Sequence, residues 1–438
     1  MKVHTRKGGL AAAIVATATL LGACSGNPTP TGGSPSSPTA GAPTVSSTPA
    51  AVNSADPARV NADLVIWCDN DRAPVVQKYA AQFAAENGIT AAVQVATDVR
   101  SQFSTATKVG KGPDVIVGAH DWLGEFVQND AVQPVSLGAD VEAKFSKTAM
   151  EAAKFNGQTY GVPYAVENIA LVRNTNLAPN APTTMDELVT TGQDLVKQGK
   201  AKEVLIQEVS KTGNPYYAYP YLAAFGGGIF GKDAKGNYDP NQIILNSPES
   251  IKGAQVLADL GKQGILSTNV SGDNSDALFD DGTAPYFITG PWAIDKAKKA
   301  GIPYAISNLP SLSGGAMEPF VGVQMFYVSS KAKNATLAQE FVTNFVTRKD
   351  VQLDLYKVGH RPPALTEAYQ EAATTDPDLK AWFEAGKDGA PMPNIPAMAS
   401  VWTPMGQAEA DVISGAADPK ARFDAAAQEI AGNIAKGQ

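Results

Sequence analysis

Hydrophobic residues along the chain follow two alternating patterns: short continuous runs, and stretches with helical spacing. Residues 64–67 form a short apolar run of the kind found in buried strands, and 91–95 and 114–117 are predicted as further short strands. Residues 74–86 and 102–109 place apolar side chains every three or four positions, which predicts helices. This alternation predicts an α/β unit with a largely parallel sheet, in which ligands bind beyond the carboxyl ends of the strands.

The same kinds of segment continue towards the carboxyl end of the chain. Thr184, followed three residues later by Glu187, predicts the start of a helix. Further helices are predicted over residues 215–225, 248–264, 337–346 and 421–435, and further strands over 204–206, 283–288 and 326–328.

The first part of the chain has a different composition. Three basic residues precede an apolar run that ends in Leu21-Gly22-Ala23-Cys24, which predicts a secretory signal over residues 1–23. The run is shorter than the roughly 20 apolar residues of a membrane-spanning helix. Residues 25–57 contain mainly Pro, Ser, Thr, Gly and Ala, so we expect residues 24–61 to form a disordered tether.

Composition and charge narrow the class of protein. The 438 residues are 44% hydrophobic and 18% charged, which is ordinary for a globular chain long enough for two or three domain-sized units. The net charge is −8 and becomes −11 without the signal, which argues against a nucleic-acid partner and a polybasic membrane patch. The chain has two cysteines, Cys24 and Cys68. If Cys24 carries a lipid, Cys68 has no partner, so no internal disulfide is expected.

The sequence excludes several kinds of chemistry. It has three histidines and no Cys/His spacing typical of zinc, no phosphate-binding loop ending in Gly-Lys-Ser/Thr, and no Gly-x-Ser-x-Gly motif. No metal and no cofactor are therefore expected. Polar residues do follow two predicted strands: Asp71-Arg72, and His120-Asp121-Trp122. Their position at strand ends is the first indication of a site.

Six segments together resemble the maltose/maltodextrin-binding protein family. They occur in the family's order and span the chain from about Ala62 to the carboxyl end. They are 64–67 with Asp71-Arg72, 112–116 with 119–121, 156–167, 289–293, 319–323, and Met392-Pro393-Asn394-Ile395-Pro396. The Gly22-Ala23-Cys24 ending also resembles the lipobox of bacterial lipoproteins, in which the cysteine is acylated.

The resemblance implies a two-lobe α/β fold, like that of periplasmic binding proteins, with a hinge and an interlobe ligand cleft. Lobe one would comprise residues 62–166 and 324–371, and lobe two residues 168–321 and 378–438. The implied function is a monomeric, lipid-anchored protein outside the cytoplasm. It would bind an α-glucoside, such as maltose, a maltodextrin or trehalose, and deliver it to the permease of an ABC importer.

The resemblance also implies which residues contact the sugar. Carboxylates would bind hydroxyl groups, a basic residue would do the same, and aromatic faces would stack on the sugar rings. The expected contacts are Asp71, Arg72, Asp121, Trp122, Glu167, Tyr216, Tyr217, Trp292, Met392 and Trp402, with Gly118, Asn214 and Arg361 as further candidates.

Some of these positions depart from the family pattern. Gly118 stands where the best-known members have a stacking tryptophan, Trp122 where they have an arginine, and Asn214 where they have a glutamate. Trp122 could fill the space that Gly118 leaves. One part of the site would then differ from that of the best-known members. The preference among maltose, trehalose and longer maltodextrins would differ as well.

Two other function classes remain open at this point. Three acids, Asp71, Asp121 and Glu167, could serve an extracellular glycoside hydrolase acting on α-glucans, which needs two carboxyl groups in a cleft. A surface scaffold or adhesin is the third class. The resemblance favours a binding protein without catalysis.

Overall fold

The computed structural model describes residues 50–51 and 58–437. The predicted signal, Cys24 and most of the predicted tether lie outside these residues. The strands are β1 Ala50–Ala51, β2 Leu64–Cys68, β3 Ala91–Val95, β4 Val115–Ala119, β5 Val132–Gln133, β6 Lys154–Phe155, β7 Gln158–Thr159, β8 Gly161–Glu167, β9 Ala170–Asn174, β10 Ile206–Gln207, β11 Phe230–Lys232, β12 Tyr238–Ile243, β13 Tyr286–Thr289, β14 Tyr304–Ser307, β15 Phe320–Ser329 and β16 Ala390–Pro391.

The α-helices alternate with these strands along much of the chain. They are α1 Ala73–Asn87, α2 Val99–Lys108, α3 Leu123–Gln128, α4 Ala139–Glu142, α5 Lys147–Ala152, α6 Met185–Lys197, α7 Pro215–Ala223, α8 Pro248–Lys262, α9 Ser275–Asp280, α10 Ile294–Lys299, α11 Ala335–Glu340, α12 Lys349–Gly359, α13 Thr366–Ala372, α14 Asp378–Gly386, α15 Trp402–Ile413 and α16 Pro419–Ala435. Among the described residues, no helix is long and apolar enough to cross a membrane.

Local sequence signals explain several helix ends. The Thr184 hydroxyl accepts a hydrogen bond from the Glu187 N–H and starts α6, as predicted. Gly88 ends α1 in the left-handed conformation at φ 64°, which glycine adopts without steric cost. The helix predicted over 102–109 begins earlier because the Asp98 carboxylate accepts a hydrogen bond from the Ser101 N–H.

The first sheet has the order β1-β3-β2-β4-β15-β16, and β5 and β8 also pair with β15. Its first four strands are parallel, as predicted, but β15 runs antiparallel to β4, β5 and β8. The prediction of a largely parallel sheet concerned residues 64–117 and is confirmed there, whereas β5, β8 and β15 lie outside that segment. Parallel neighbours are usually joined by a helical crossover, whereas an antiparallel neighbour needs none. Strand β15 comes from a distant part of the chain and is free to pair in the antiparallel direction.

The second sheet has the order β10-β13-β9-β14, with β9 antiparallel to both of its neighbours. Each sheet has its own hydrophobic core. One cluster contains buried residues from 64–165 and 323–368, and the others contain residues from 169–320 and 382–430. The chain passes between these cores after β8, within β15 and between α13 and α14.

The folded part begins before residue 62. The Arg59 guanidinium lies 2.9 Å from the buried Asp114 carboxylate, and the carbonyl of Ala58 accepts a hydrogen bond from Gln94. Ala50–Ala51 pair with Gln94–Val95 of β3. The carboxyl end of the predicted tether is therefore ordered against the first sheet.

Candidate functional site

A cavity of about 420 Å³ is lined by residues from both sheets and their helices. Its lining consists of Asp71, Arg100, Ala119, Asp121, Trp122, Glu167, Glu208, Asn214, Tyr216, Tyr217, Trp292, Lys296, Arg361, Met392 and Trp402. This volume lies within the range typical of small-molecule sites. Most of the polar lining residues follow strand ends or begin helices.

Two tryptophans reach the cavity through similar local structures. Strand β4 ends at Ala119 and continues into a 3-10 turn over His120–Trp122, and β13 is followed by a 3-10 turn over Pro291–Ala293. The Trp122 ring occupies the space where a side chain on Gly118 would lie, and the Trp292 ring does the same above Gly290. Each glycine therefore leaves room for an indole ring against the strand end.

His120 fixes the first of these turns. Its Nδ1 accepts a hydrogen bond from the Val323 N–H at 3.0 Å, so its Nε2 carries the proton and donates to the Met392 carbonyl at 3.1 Å. Burial lowers the pKa of His120 to about 4, although both hydrogen bonds and the charge of Glu167 oppose the shift. The neutral ring joins β4 to β15 and to the segment that carries Met392.

Asp121 is buried beside Arg100 and Trp402. Burial raises the pKa of its carboxyl to about 6, while the positive charge of Arg100 lowers it in part. Arg100 is itself held by Glu125, at 2.6 Å between Nη2 and Oε2. The buried indole N–H of Trp402 is near enough to lower the pKa of Asp121, yet it has no partner in hydrogen-bonding geometry among the described residues. The indole N–H of Trp402 therefore retains unused hydrogen-bonding capacity beside the Asp121 carboxyl.

The buried Glu167 forms an ion pair with the partly buried Arg361, with 2.5 Å between Nε and Oε2. The other carboxylate oxygen of Glu167 accepts a hydrogen bond of 2.7 Å from Gln324 on β15. The Arg361 guanidinium lies over the Trp292 ring, 5.3 Å from its centroid. Burial opposes the charged form of Arg361, but the charge of Glu167 and its hydrogen bond help to raise the pKa of Arg361 overall. Arg361, a minor candidate in the sequence, thus connects the two halves of the cavity wall.

Asn214 positions the aromatic residues of α7. Its side-chain oxygen accepts a hydrogen bond from the Tyr216 N–H, and Pro215 occupies the first turn, where a missing N–H costs nothing. Its side-chain amide donates to Glu208 at 2.9 Å, and its backbone N–H donates to Glu409 at 2.5 Å. Burial raises the pKa of Glu208, and that of Glu409 well above its usual value.

Sequence reasoning did not identify Arg100, Ala119, Glu208 and Lys296 as lining residues. Glu208 directly follows β10, so the strand-end argument used for Asp71 could have found it. Arg100 and Lys296 lie on helices and carry no local signal of this kind. Glu208 places a carboxylate next to Asn214, whose side-chain amide donates to it.

Two predicted residues do not line the cavity, Arg72 and Gly118. Arg72 is buried beneath it, where its guanidinium donates to the Tyr164 hydroxyl and pairs with Asp69. Its charge is therefore neutralised by Asp69, and a contact between Arg72 and the ligand stays a prediction. Gly118 is covered by the Trp122 ring. The other predicted residues all contribute to the lining described above.

The lining offers aromatic faces beside hydrogen-bond acceptors and donors. Asp71, Asp121 and Glu208 form no salt bridge among the described residues, whereas Arg361 and Lys296 are paired with acids. A neutral ligand with many hydroxyl groups and apolar faces suits this arrangement, because it satisfies the carboxylates without bringing a further charge.

The sequence matches the model of one family, described as bacterial extracellular solute-binding protein, over residues 78–381. It is 28% identical over 383 residues to a galactooligosaccharide-binding protein of Bacillus subtilis (strain 168), covering 85% of this chain and 90% of that protein. It is 27% identical over 316 residues to a maltotriose-binding protein of Pyrococcus abyssi (strain GE5 / Orsay), covering 70% and 66%. It is 26% identical over 372 residues to a maltooligosaccharide ABC transporter solute-binding lipoprotein of Streptococcus pneumoniae (strain ATCC BAA-255 / R6), covering 82% and 85%.

Proposed function

Because the chain belongs to the bacterial extracellular solute-binding protein family, we propose that it captures an oligosaccharide and delivers it to an ABC importer. The observation that carries this proposal is the cavity itself, in which three tryptophans surround carboxylates that form no salt bridge among the described residues. Apolar sugar faces stack on aromatic rings, and sugar hydroxyls donate to carboxylates.

Within this site, Trp122, Trp292 and Trp402 would provide the stacking faces. Asp71, Asp121 and Glu208 would accept hydrogen bonds from hydroxyl groups. Two further groups, Glu167 and Arg361, already satisfy much of each other's hydrogen-bonding capacity. Arg361 would therefore contribute its remaining N–H donors, and Tyr216, Tyr217, Asn214 and Met392 would complete the wall.

The two hydrophobic cores would act as two lobes that close around the sugar. The proposed lobes are residues 62–166 with 324–371, and residues 168–321 with 378–438. Three crossings of the chain would form the hinge. A ligand favours the closed state only if it binds that state more tightly, so contacts from both halves of the cavity wall are needed.

The expected ligand is an α-linked glucoside, because two of the three relatives above are named for maltotriose or maltooligosaccharides. The third is named for a galactooligosaccharide, which makes the galactosyl series the appropriate contrast. A side chain on residue 118 would collide with the Trp122 ring, so the glycine allows the ring to occupy its place in the cavity wall. The position of this ring would in turn determine the preference among short sugars.

Cys24 would carry the lipid that holds the protein at the outer face of the membrane, where a monomer would meet its permease. The relative from Streptococcus pneumoniae is named a lipoprotein, which supports this proposal. The relatives are named as binding proteins, and we propose binding without catalysis here as well.

Isothermal titration calorimetry of the full-length protein tests the proposal. Maltose, trehalose, maltotriose and galactotriose are the ligands, with thin-layer chromatography of each mixture as a check for hydrolysis. We expect one saturable site for a glucosyl ligand and unchanged sugar. Absence of binding to every ligand would contradict the proposal, and release of shorter sugars would favour the hydrolase.

The double variant Gly118→Trp with Trp122→Arg tests the specificity argument. It restores the aromatic and the arginine of the family pattern while avoiding the collision between the two rings. We expect its order of affinities to move towards maltose. An order identical to that of the wild type would show that these positions do not determine specificity.

A further inference from the structure

Glu409 is a buried acid that the proposed function does not use. It lies on α15, its side chain is fully buried, and it forms no ion pair with any described residue. Burial raises the pKa of its carboxyl well above the usual value, and the nearby charge of Glu208 adds to this effect. A buried acid without a cationic partner is costly to keep, so its hydrogen bonds indicate what it does.

One oxygen of Glu409 accepts a hydrogen bond from the start of α7. The donor is the backbone N–H of Asn214, 2.5 Å from Oε2, while Oε1 has no partner among the described residues. Asn214 caps α7, and the N–H of a capping residue has no acceptor inside its own helix. In a capping box the side chain three residues later accepts from this N–H, but Tyr217 holds that position here. Glu409 therefore supplies the acceptor from a second helix.

Asn214 connects this buried hydrogen bond to the main cavity. Its side-chain oxygen accepts a hydrogen bond of 3.2 Å from the Tyr216 N–H, and its side-chain amide donates to Glu208 at 2.9 Å. All three of these residues line the cavity. The position of Asn214 therefore sets the positions of an aromatic ring and a carboxylate in the cavity wall.

The loop before α7 packs backbone to backbone against α15. Gly213 has φ 73°, and a Cβ there would collide with the carbonyl group of Gly406, while a Cβ on Gly406 would collide with the carbonyl oxygen of Thr212. Gly406 lies four residues after Trp402 and three before Glu409, so the three share one side of α15. This side of the helix thus presents a cavity tryptophan and the acceptor for α7.

We propose that Glu409 is a positioning residue of the sugar site, which fixes the start of α7 without touching the ligand. It acts through Asn214 on the Tyr216 ring and on the Glu208 carboxylate. Glu409 itself does not line the cavity. This inference rests on the proposed function and extends it to a residue behind the cavity wall.

Three variants on α15 test the inference. Glu409→Met keeps the length of the side chain but removes the acceptor, which leaves the buried N–H of Asn214 without a partner. Glu409→Gln keeps an acceptor oxygen in nearly the same shape. Gln407→Met is the matched control, because it removes a hydrogen bond to Asp411 within α15 that does not involve α7.

Calorimetry with maltotriose on the full-length protein gives the readout, with galactotriose used if maltotriose does not bind. We expect Glu409→Met to bind the sugar about tenfold more weakly or worse, and Glu409→Gln and Gln407→Met to stay within about twofold of the wild type. Urea unfolding checks that each variant is folded under the conditions of the titration. If Glu409→Met does not fold, Glu409→Asp takes its place with the same expected loss, because its carboxyl is one methylene shorter.

A second background separates positioning from a general loss of stability. Asn214→Ala keeps the backbone N–H that bonds to Glu409 but removes the side chain that contacts Glu208 and Tyr216. In this background Glu409→Met should still lower the free energy of unfolding. It should weaken sugar binding by less than about threefold, because the two changes are not additive if Glu409 acts through Asn214.

Two outcomes would overturn the inference while leaving the proposed function intact. One is wild-type sugar affinity in a folded Glu409→Met protein. The other is a loss of affinity of the same size in the wild-type and Asn214→Ala backgrounds, which would show that Glu409 does not act through the Asn214 side chain. If the wild type binds neither sugar, the proposed function fails and the inference fails with it.

Discussion

Replacing Asp121 by asparagine should stabilise the protein at neutral pH and change how its stability depends on pH. Asp121 is almost completely buried, and its carboxyl has a pKa of about 6 in the native state against 3.8 for an ordinary aspartate. Above pH 6 the native protein therefore holds a buried charge that the unfolded chain exposes to water. An asparagine amide has nearly the same shape and carries no charge.

The pKa difference sets the size of the effect. A change of about two in pKa, at about 1.4 kcal/mol for each unit, corresponds to about 3 kcal/mol. As the pH falls through 6 towards 3.8, the native state takes up a proton that the unfolded state does not, so the wild type becomes more stable. Asp121→Asn should thus be more stable than the wild type by about 3 kcal/mol at about pH 7.5, and by almost nothing below about pH 4.

His120 acts in the opposite direction over the same range. Its pKa is about 4 in the native state against 6.5 in an ordinary histidine, so its contribution to stability is complete above pH 6.5 and is lost as the pH falls towards 4. The loss is also about 3 kcal/mol. The two neighbours therefore offset each other in the wild type, and Asp121→Asn exposes the contribution of His120.

Urea unfolding of both proteins at pH values from about 7.5 to about 4 measures this difference, because other titrating groups are common to both. Asp140→Asn, at an exposed position on α4, controls for loss of an aspartate charge. A difference between Asp121→Asn and the wild type that stays constant across the pH range would refute the reasoning.

Three further predictions concern the ion pair, the stacking residues and the anchor. Arg361→Met should lower the free energy of unfolding by about 3 to 5 kcal/mol, because Glu167 stays buried without its partner. Adding Glu167→Gln should recover most of that loss. If urea unfolding shows that the two losses simply add, the prediction is contradicted. Trp292→Ala and Trp402→Ala should each weaken sugar binding by about 2 kcal/mol or more in calorimetry, and unchanged affinity in both would disprove the assignment. Cys24→Ala should abolish lipid labelling and release the protein from the membrane without altering its unfolding; persistent labelling would exclude Cys24 as the anchor.

Local patterns predicted the elements of the fold better than their pairing. The apolar run at 64–67 is a fully buried strand, and Gly88 ends the helix predicted after it. The strand predicted over 326–328 lies within a ten-residue strand whose amino-terminal half contains Gly322 and Gln324, which weaken the apolar pattern. The antiparallel direction of β15 results from contacts between distant parts of the chain, which no local pattern contains.

In the candidate site, too, local sequence predicted some residues, whereas others depend on contacts between distant parts of the chain. Asp71 and Asp121 closely follow strands, so sequence position and resemblance together placed them at the cavity. Arg72 shares that position but points into the protein, because Asp69 and Tyr164 take up its guanidinium. Arg100 and Lys296 reach the cavity from helices, and their contribution depends on how those helices pack. The position of the Trp122 ring beside Gly118 was predictable from the sequence, because a glycine at residue 118 leaves room for that ring.

A fluorescence titration tests the central claim most directly. Three of the five tryptophans of the chain line the cavity, so a sugar bound there changes the emission of the intact protein. We predict a saturable change with maltotriose that fits one site and shifts to higher concentration in Trp402→Ala. No saturable change with any glucosyl or galactosyl oligosaccharide, from the disaccharide to the hexasaccharide, would contradict the account.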